Sequence, residues 1–202
     1  RPTAAPAGKK RKALSLTPHA GFREDFRQLL TWENKRGEDR PACWTHSQGN
    51  LVRVRIGQEF QAVSGHLMQT LGWTRLSIVD IHRVQNDHVW RRCCRNVSQD
   101  PYIMFHGCRS KQNEHNIIEE GFRVDKCVSG GANYGTWLAS NAAYSEAGFT
   151  FTDPSGFRHI FVCLVSRRTP PVMQQGSDMG GHIRVMGQDL VYPMWVVRYE
   201  GG

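Results

Sequence analysis

The run Tyr102-Ile103-Met104-Phe105-His106-Gly107-Cys108-Arg109-Ser110 places an imidazole at the end of an apolar stretch, with glycine directly after it. Consecutive apolar and aromatic residues read as a buried strand. Such a strand holds the His106 ring in one direction, and Gly107, without a side chain, lets a ligand reach bare backbone N–H and C=O groups. The pair therefore reads as a ligand site, the alternative being an ordinary strand end. The remaining reactive side chains are scattered. Cys43, Cys93, Cys94, Cys108, Cys127 and Cys163 form no CxxC pair, and none of the nine histidines lies in an HExxH pattern. The expectation is reduced thiols and no metal.

The elements that must carry this site alternate irregularly. Phe22, Phe26, Leu29 and Leu30 fall on one helical stripe between Phe22 and Trp32, and Asn34 to Pro41 reads as a charged loop rich in breakers. Leu51 to Ile56 alternates apolar and basic residues as a half-buried strand does, with Arg53 and Arg55 outward. Phe60, Val63, Leu67 and Leu71 mark a helix over 59–71, stopped by Gly72. Strands are expected at 76–81, 102–106, 134–138, 158–165 and 191–199, with short helices at 113–120, before Gly121, and at 140–147. Residues 128–133 read as a glycine-rich loop, and 169–189 as a longer one with Pro170-Pro171 and Gly180-Gly181. Many strands, two or three helices and no βαβ alternation indicate an α+β fold.

With 202 residues and 39% apolar content the chain can bury a sizeable core. No run is long and apolar enough for a transmembrane helix, and there is no secretion signal, so a membrane role is not expected and the compartment is read as intracellular: mitochondrial, nuclear or cytoplasmic, not secreted. The net charge of +8 favours a polyanionic partner. Residues 1–20 read as a basic extended tail in which Lys9, Lys10, Arg11 and Lys12 suit phosphate contacts. The start at Arg1, without Met, is expected of a processed product, and the basic stretch is either a remnant of an import region or simply a tail.

The order of motifs resembles the catalytic domain of the poly(ADP-ribose) polymerase family, in its mono-ADP-ribosyltransferase branch. Ile78 to Trp90, with Arg83-Val84-Gln85-Asn86, is similar to "I-x-R-[IV]-Q-N-x-x-[LV]-W"; Phe105-His106-Gly107 and then Ile117 to Phe122 match "F-H-G … I-x-x-x-G-[FL]". Tyr134-Gly135-Thr136-Trp137-Leu138-Ala139 with Ser145 resembles a shortened "Y-G-x-G-x-Y-F-A … S", and Gln188 to Tyr199 resembles the closing "Q-x-Y-P-x-Y" strand. The resemblance covers residues 58–199, so the organisation is read as tail 1–20, helix and strand extension 21–57, and catalytic-type domain 58–202.

That resemblance implies an ADP-ribosyltransferase fold of two small packed sheets, antiparallel or mixed, with flanking helices and NAD in a cleft between them. It implies that Gly107 bonds the nicotinamide amide through its backbone, that His106 bonds a ribose hydroxyl and that Ser145 bonds the same amide. It further implies that Trp137 and Phe149 (or Tyr144) sandwich the ring. Departure of nicotinamide would leave an oxocarbenium-like centre for a positioned nucleophile. The triad reads His106, Trp137, Met194, with a thioether where polymerising members carry a carboxylate, which argues against chain elongation. Asp189 and Glu146 are the candidate substitute carboxylates, and Arg109 and Lys111 the candidates for a pyrophosphate. Two functions follow. One is NAD-dependent mono-transfer to a protein or nucleic-acid acceptor. The other is a non-catalytic module in an RNA–protein assembly such as an organellar ribosome. Under the second, replacing Lys9, Lys10, Arg11 and Lys12 with Ala weakens RNA or particle association and flattens its dependence on salt; association unchanged across a salt titration would rule out docking through this tail.

Overall fold

The computed structural model describes residues 20–35, 38–72, 76–98, 100–127, 135–167 and 183–201. Lys9 to Lys12, Tyr134 and the 128–133 loop lie outside them. The elements in order are α1 (Ala20–Leu29), β1 (Trp32–Lys35), β2 (Glu38–Pro41), β3 (Leu51–Arg53), α2 (Gln58–Leu71), β4 (Ile78–Val84), α3 (Asp87–Val97), β5 (Tyr102–His106), α4 (Lys111–Glu120), β6 (Thr136–Ala139), α5 (Ala142–Glu146), β7 (Phe157–Val165), β8 (Ile183–Met186) and β9 (Val191–Glu200), with one 3₁₀ turn at Val124–Lys126. Among the described residues no helix is long and apolar enough to cross a membrane.

The fold is α+β, as expected, but the two packed sheets are one. Seven antiparallel strands run in the order β3-β4-β9-β7-β5-β6-β8, and β1 and β2 pair separately. The ladder is thin between β5 and β6, where Phe105 opposite Ala139 makes the described pairing. One aligned pair suffices to keep the backbone bonds continuous across a joint at which the sheet would otherwise divide. Three other expectations are corrected. The 34–41 loop contains the β1–β2 ladder, since backbone pairing there needs no apolar pattern. The 169–189 loop contains β8, which pairs with β6 from Thr136 opposite Met186 to Ala139 opposite Ile183. The strand from Leu51 stops at Arg53, although Val54 N still donates to Ile81 O at 2.8 Å; Arg53 and Arg55 are exposed, as is Ile56.

β7 and β9 lie at the centre with neighbours on both sides, and their residues are buried almost without interruption from His159 to Val165 and from Val191 to Val197. A central strand covered on both faces needs apolar residues at successive positions rather than alternate ones. α1 joins this core. Phe26 is buried edge-on against Trp195, 5.5 Å between centroids, and against His66 of α2. α2 buries Ala62, Val63, His66, Leu67 and Leu71 and ends at Gly72.

The segment Arg83-Gln85-Asn86 is the structural joint. Arg83, buried, bonds Glu59 Oε2 of α2 at 2.5 Å and Gln85 Oε1 at 2.9 Å, while Trp195 Nε1 donates to the other oxygen of Glu59 at 2.7 Å. Asn86 caps α3 by accepting from Val89 N at 3.1 Å. Its amide nitrogen donates to the carbonyls of Ile118 and Glu119 in α4 at 2.8 and 2.9 Å. Its backbone N–H donates to the Tyr192 hydroxyl at 3.2 Å, and that hydroxyl donates on to Val84 O at 3.0 Å. Burial raises the Tyr192 phenol well above its ordinary pKa, so it stays a donor. Truncating Asn86 removes a cap and orphans two carbonyls. Asn86→Ala should lower unfolding free energy by about 3 kcal/mol in a denaturant titration. Asn86→Asp, which keeps the cap but sets a carboxylate oxygen against two carbonyl oxygens in a buried site, should cost at least as much.

Candidate functional site

His106 closes β5, opposite Phe161 of β7. Its Nδ1 lies 2.8 Å from the carbonyl oxygen of Trp137 in β6. A carbonyl only accepts, so Nδ1 carries the proton and Nε2 keeps its lone pair. Burial pushes the ring's pKa below the ordinary 6.5, against a smaller opposing effect of that hydrogen bond. A neutral imidazole of fixed tautomer results, with Nε2 an acceptor for a hydroxyl. Phe122 packs edge-on to the ring at 4.9 Å.

Gly107 has a more local reason to be glycine than access for a ligand. A Cβ there would stand 2.7 Å from the carbonyl carbon and 2.9 Å from Cβ of Phe149, so the Phe149 backbone closes directly over it. The Phe149 ring stacks on Tyr144 at 5.5 Å, and the Arg109 guanidinium sits 5.3 Å from its centre. The two aromatics considered for the second wall thus form one stacked pair. Ser145, in α5, is buried and donates from Oγ to the carbonyl of Phe105 at 3.3 Å. α5 begins where Asn141 Oδ1 accepts from Ala143 N at 2.8 Å.

Trp137 is half-buried on β6 opposite Val185, and its indole Nε1 is buried with no hydrogen-bond partner among the described residues. The strand enters through Gly135 at φ 97, where a Cβ would collide with Met186 O. The end of β5 therefore gathers His106 with Trp137, Gly107 with Phe149, and Ser145 with the Phe105 carbonyl. Met194 lies in β9, two strands from β5. It is fully buried at the bulge where Trp195 opposes Val162 and Pro193 opposes Cys163.

The candidate charged helpers are already engaged. Asp189 Oδ1 is 3.1 Å from Arg92 Nε, Glu146 pairs with Arg158, and Lys111 Nζ is 2.5 Å from Glu114 Oε1. Arg109 is exposed apart from its place over the Phe149 ring. Burial pushes the Cys108 thiol up to about 12, as it does Cys43 and Cys93, leaving these thiols weak nucleophiles at neutral pH. Among the described residues no three His, Cys, Asp or Glu side chains form a metal-holding group.

Sequence reasoning passed over the ionic groups around His159, Glu114, Asp153, Asp80 and Arg198. The available signal was polar residues inside otherwise apolar strands, at Asp80, His159 and Arg198.

An antiparallel α+β sheet with a histidine at the end of an inner strand, its Nδ1 on a neighbouring strand's carbonyl, is the frame of the site. The family model of the poly(ADP-ribose) polymerase catalytic domain matches residues 57–167, more than half of the chain, and the chain belongs to that family. No curated protein matches it. Domains of this family use NAD as substrate. At this end of β5 the His106 ring is held through Nδ1 by the Trp137 carbonyl, and the Trp137 indole Nε1 is buried without a hydrogen-bond partner among the described residues. Gly107→Ala should displace Phe149 and cost about 1–3 kcal/mol of stability, as overpacking does, read by chemical unfolding; a cost near zero would mean the Phe149 segment yields freely.

Proposed function

We propose that the chain binds NAD at the end of β5 and acts as a mono-ADP-ribosyltransferase domain without polymerising activity. The observation that carries this is His106, neutral and held by the Trp137 carbonyl so that Nε2 accepts. NAD, when bound, supplies an ADP-ribose unit whose leaving group is nicotinamide. His106 Nε2 takes a ribose hydroxyl, Gly107 and Ser145 take the carboxamide, and Trp137 and Phe149 flank the ring. Met194 is apolar and fully buried, so it neither anchors a ribose hydroxyl nor polarises one as the next acceptor. A chain of ADP-ribose units accordingly has no group to start its second link, and the acceptor is a protein side chain.

A second reading has its own support: the Ser145 hydroxyl is already spent on Phe105, and the Phe149 backbone lies over Gly107. On that reading the fold is kept as a scaffold in an RNA–protein assembly, docked by its basic tail, and the cleft is closed by its own chain.

Calorimetric titration with NAD separates the two. The transferase reading expects binding that His106→Ala abolishes. Because the folded pKa of His106 is lowered, the neutral acceptor persists as pH falls past the ordinary 6.5, and affinity is lost only further into acid. Labelled NAD should then leave single additions and no ladder. Absence of NAD binding by the wild-type chain would leave the scaffold reading.

A further inference from the structure

A group of charged side chains surrounds His159, near the start of β7. The residue is buried; its Nδ1 lies 2.6 Å from Glu114 Oε2 in α4, and its Nε2 lies 3.1 Å from Asp153 Oδ2 in the turn before β7. The groups facing it come from every neighbouring element. From α4 there are Glu114, itself buried, and Lys111. Arg198 of β9 approaches Asp153 at 3.7 Å and holds Asp80 of β4 at 2.9 Å, and Asp80 also meets His82 Nδ1 at 3.3 Å.

Burial works against ionisation of Glu114, but hydrogen bonds from His159 and Lys111 outweigh it, and its pKa is lowered. Asp153 is lowered too, with its desolvation outweighed by His159 and by two backbone N–H groups. Ionised carboxylates only accept. A neutral imidazole has a single N–H and satisfies one of them, so both contacts are made only when both ring nitrogens donate. The two carboxylates sit on opposite nitrogens and do not converge on a point, so the arrangement is a strut between them.

Its two ends lead to the two sides of the cleft. Glu114 sits one turn into α4, whose cap Ser110, bonded to Asn113 N at 3.1 Å, follows Gly107 by three residues. Asp153 organises the other side: its Oδ1 accepts from Ser155 N at 2.8 Å and Phe157 N at 3.1 Å. The Phe151 ring lies on the His159 ring, 4.6 Å between centroids, and His159 N donates to Phe151 O. Two residues earlier the backbone of Phe149 closes over Gly107.

We propose that His159 is a positioning residue: its imidazolium, shared between Glu114 and Asp153, fixes the Phe149 wall against Gly107 and so sets the slot of the NAD cleft. This deepens the transferase reading and rests on it only for the identity of the ligand.

The test compares wild type, His159→Gln and Asp153→Asn by amide hydrogen exchange and by NAD titration at one pH. Asp153→Asn keeps the Oδ1 acceptor and the bonds of its turn while removing the charge, so it serves where His159→Gln folds poorly. Protection at 149–152, taken relative to β9 to remove global stability, should drop about tenfold in either variant, the scale expected for a lost charge-assisted hydrogen bond. The NAD dissociation constant should rise by a similar factor. Unchanged relative protection in both variants overturns the strut. Lost protection with NAD affinity intact overturns its positioning role. Lost protection in a chain whose wild type binds no NAD sustains the strut and overturns the transferase reading.

Discussion

The amide of Asn86 is the constraint on which the positions of the other parts depend. Asn86 is buried and uses four hydrogen-bonding atoms: Oδ1 and the backbone carbonyl start α3, Nδ2 holds carbonyls in the last turn of α4, and the backbone N–H meets the hydroxyl of Tyr192 on β9. In an apolar interior none of these bonds has a competing water, so the amide either makes all of them or leaves polar groups stranded. α4 follows His106 and Gly107 after four residues, and its C-terminal end is pinned by Asn86. The helix that follows His106 and Gly107 is therefore aligned to β4 and β9 by one residue standing at the far end of α4.

Two histidines show how the same ring is put to opposite uses by its neighbours. His106 faces a carbonyl and apolar rings, is held neutral, and offers a lone pair. His159 faces carboxylates on both nitrogens, which demand two donors. The first arrangement suits recognition of a hydroxyl, the second suits holding structure in place. Around His159 the sheet adds Asp80 and Arg198, whereas the candidate helpers bring no free charge to His106. Met194 is packed away at the β7–β9 bulge, and the nearby Asp189 and Glu146 are neutralised by Arg92 and Arg158. The chemistry available at the cleft is accordingly hydrogen bonding and ring stacking, without a free carboxylate among these candidates.

The joint between β5 and β6 has a similar economy. Phe105 opposite Ala139 carries the described ladder, yet the carbonyl of Phe105 also accepts from Ser145, and the carbonyl of Trp137 accepts from His106. Backbone groups that the thin ladder leaves unpaired are taken by the very side chains that line the site. A sheet fully zipped at this point would have no carbonyl to spare for orienting the imidazole.

Much of this was determined by the amino-acid order. Apolar runs of strand length located β5, β7 and β9, and the 3–4 spacing of Val63, Leu67 and Leu71 located α2, because local period reports which residues must be buried. The motifs around His106 and Ser145 pointed to the family by resemblance, which is a matter of motif order and not of period. α3 was not read from the sequence: Val89, Trp90, Cys93 and Val97 share a buried side, but its charged remainder masked the pattern. What only the tertiary structure decided depends on partners distant in sequence. The tautomer of His106 is set by a carbonyl 31 residues away. Gly107 is glycine because Phe149 passes over it, and the two nitrogens of His159 meet carboxylates from α4 and from a turn. The division into one sheet or two was settled by a single aligned pair. Those outcomes arise from groups that meet only when the sheet has formed, and no local pattern along the chain encodes them.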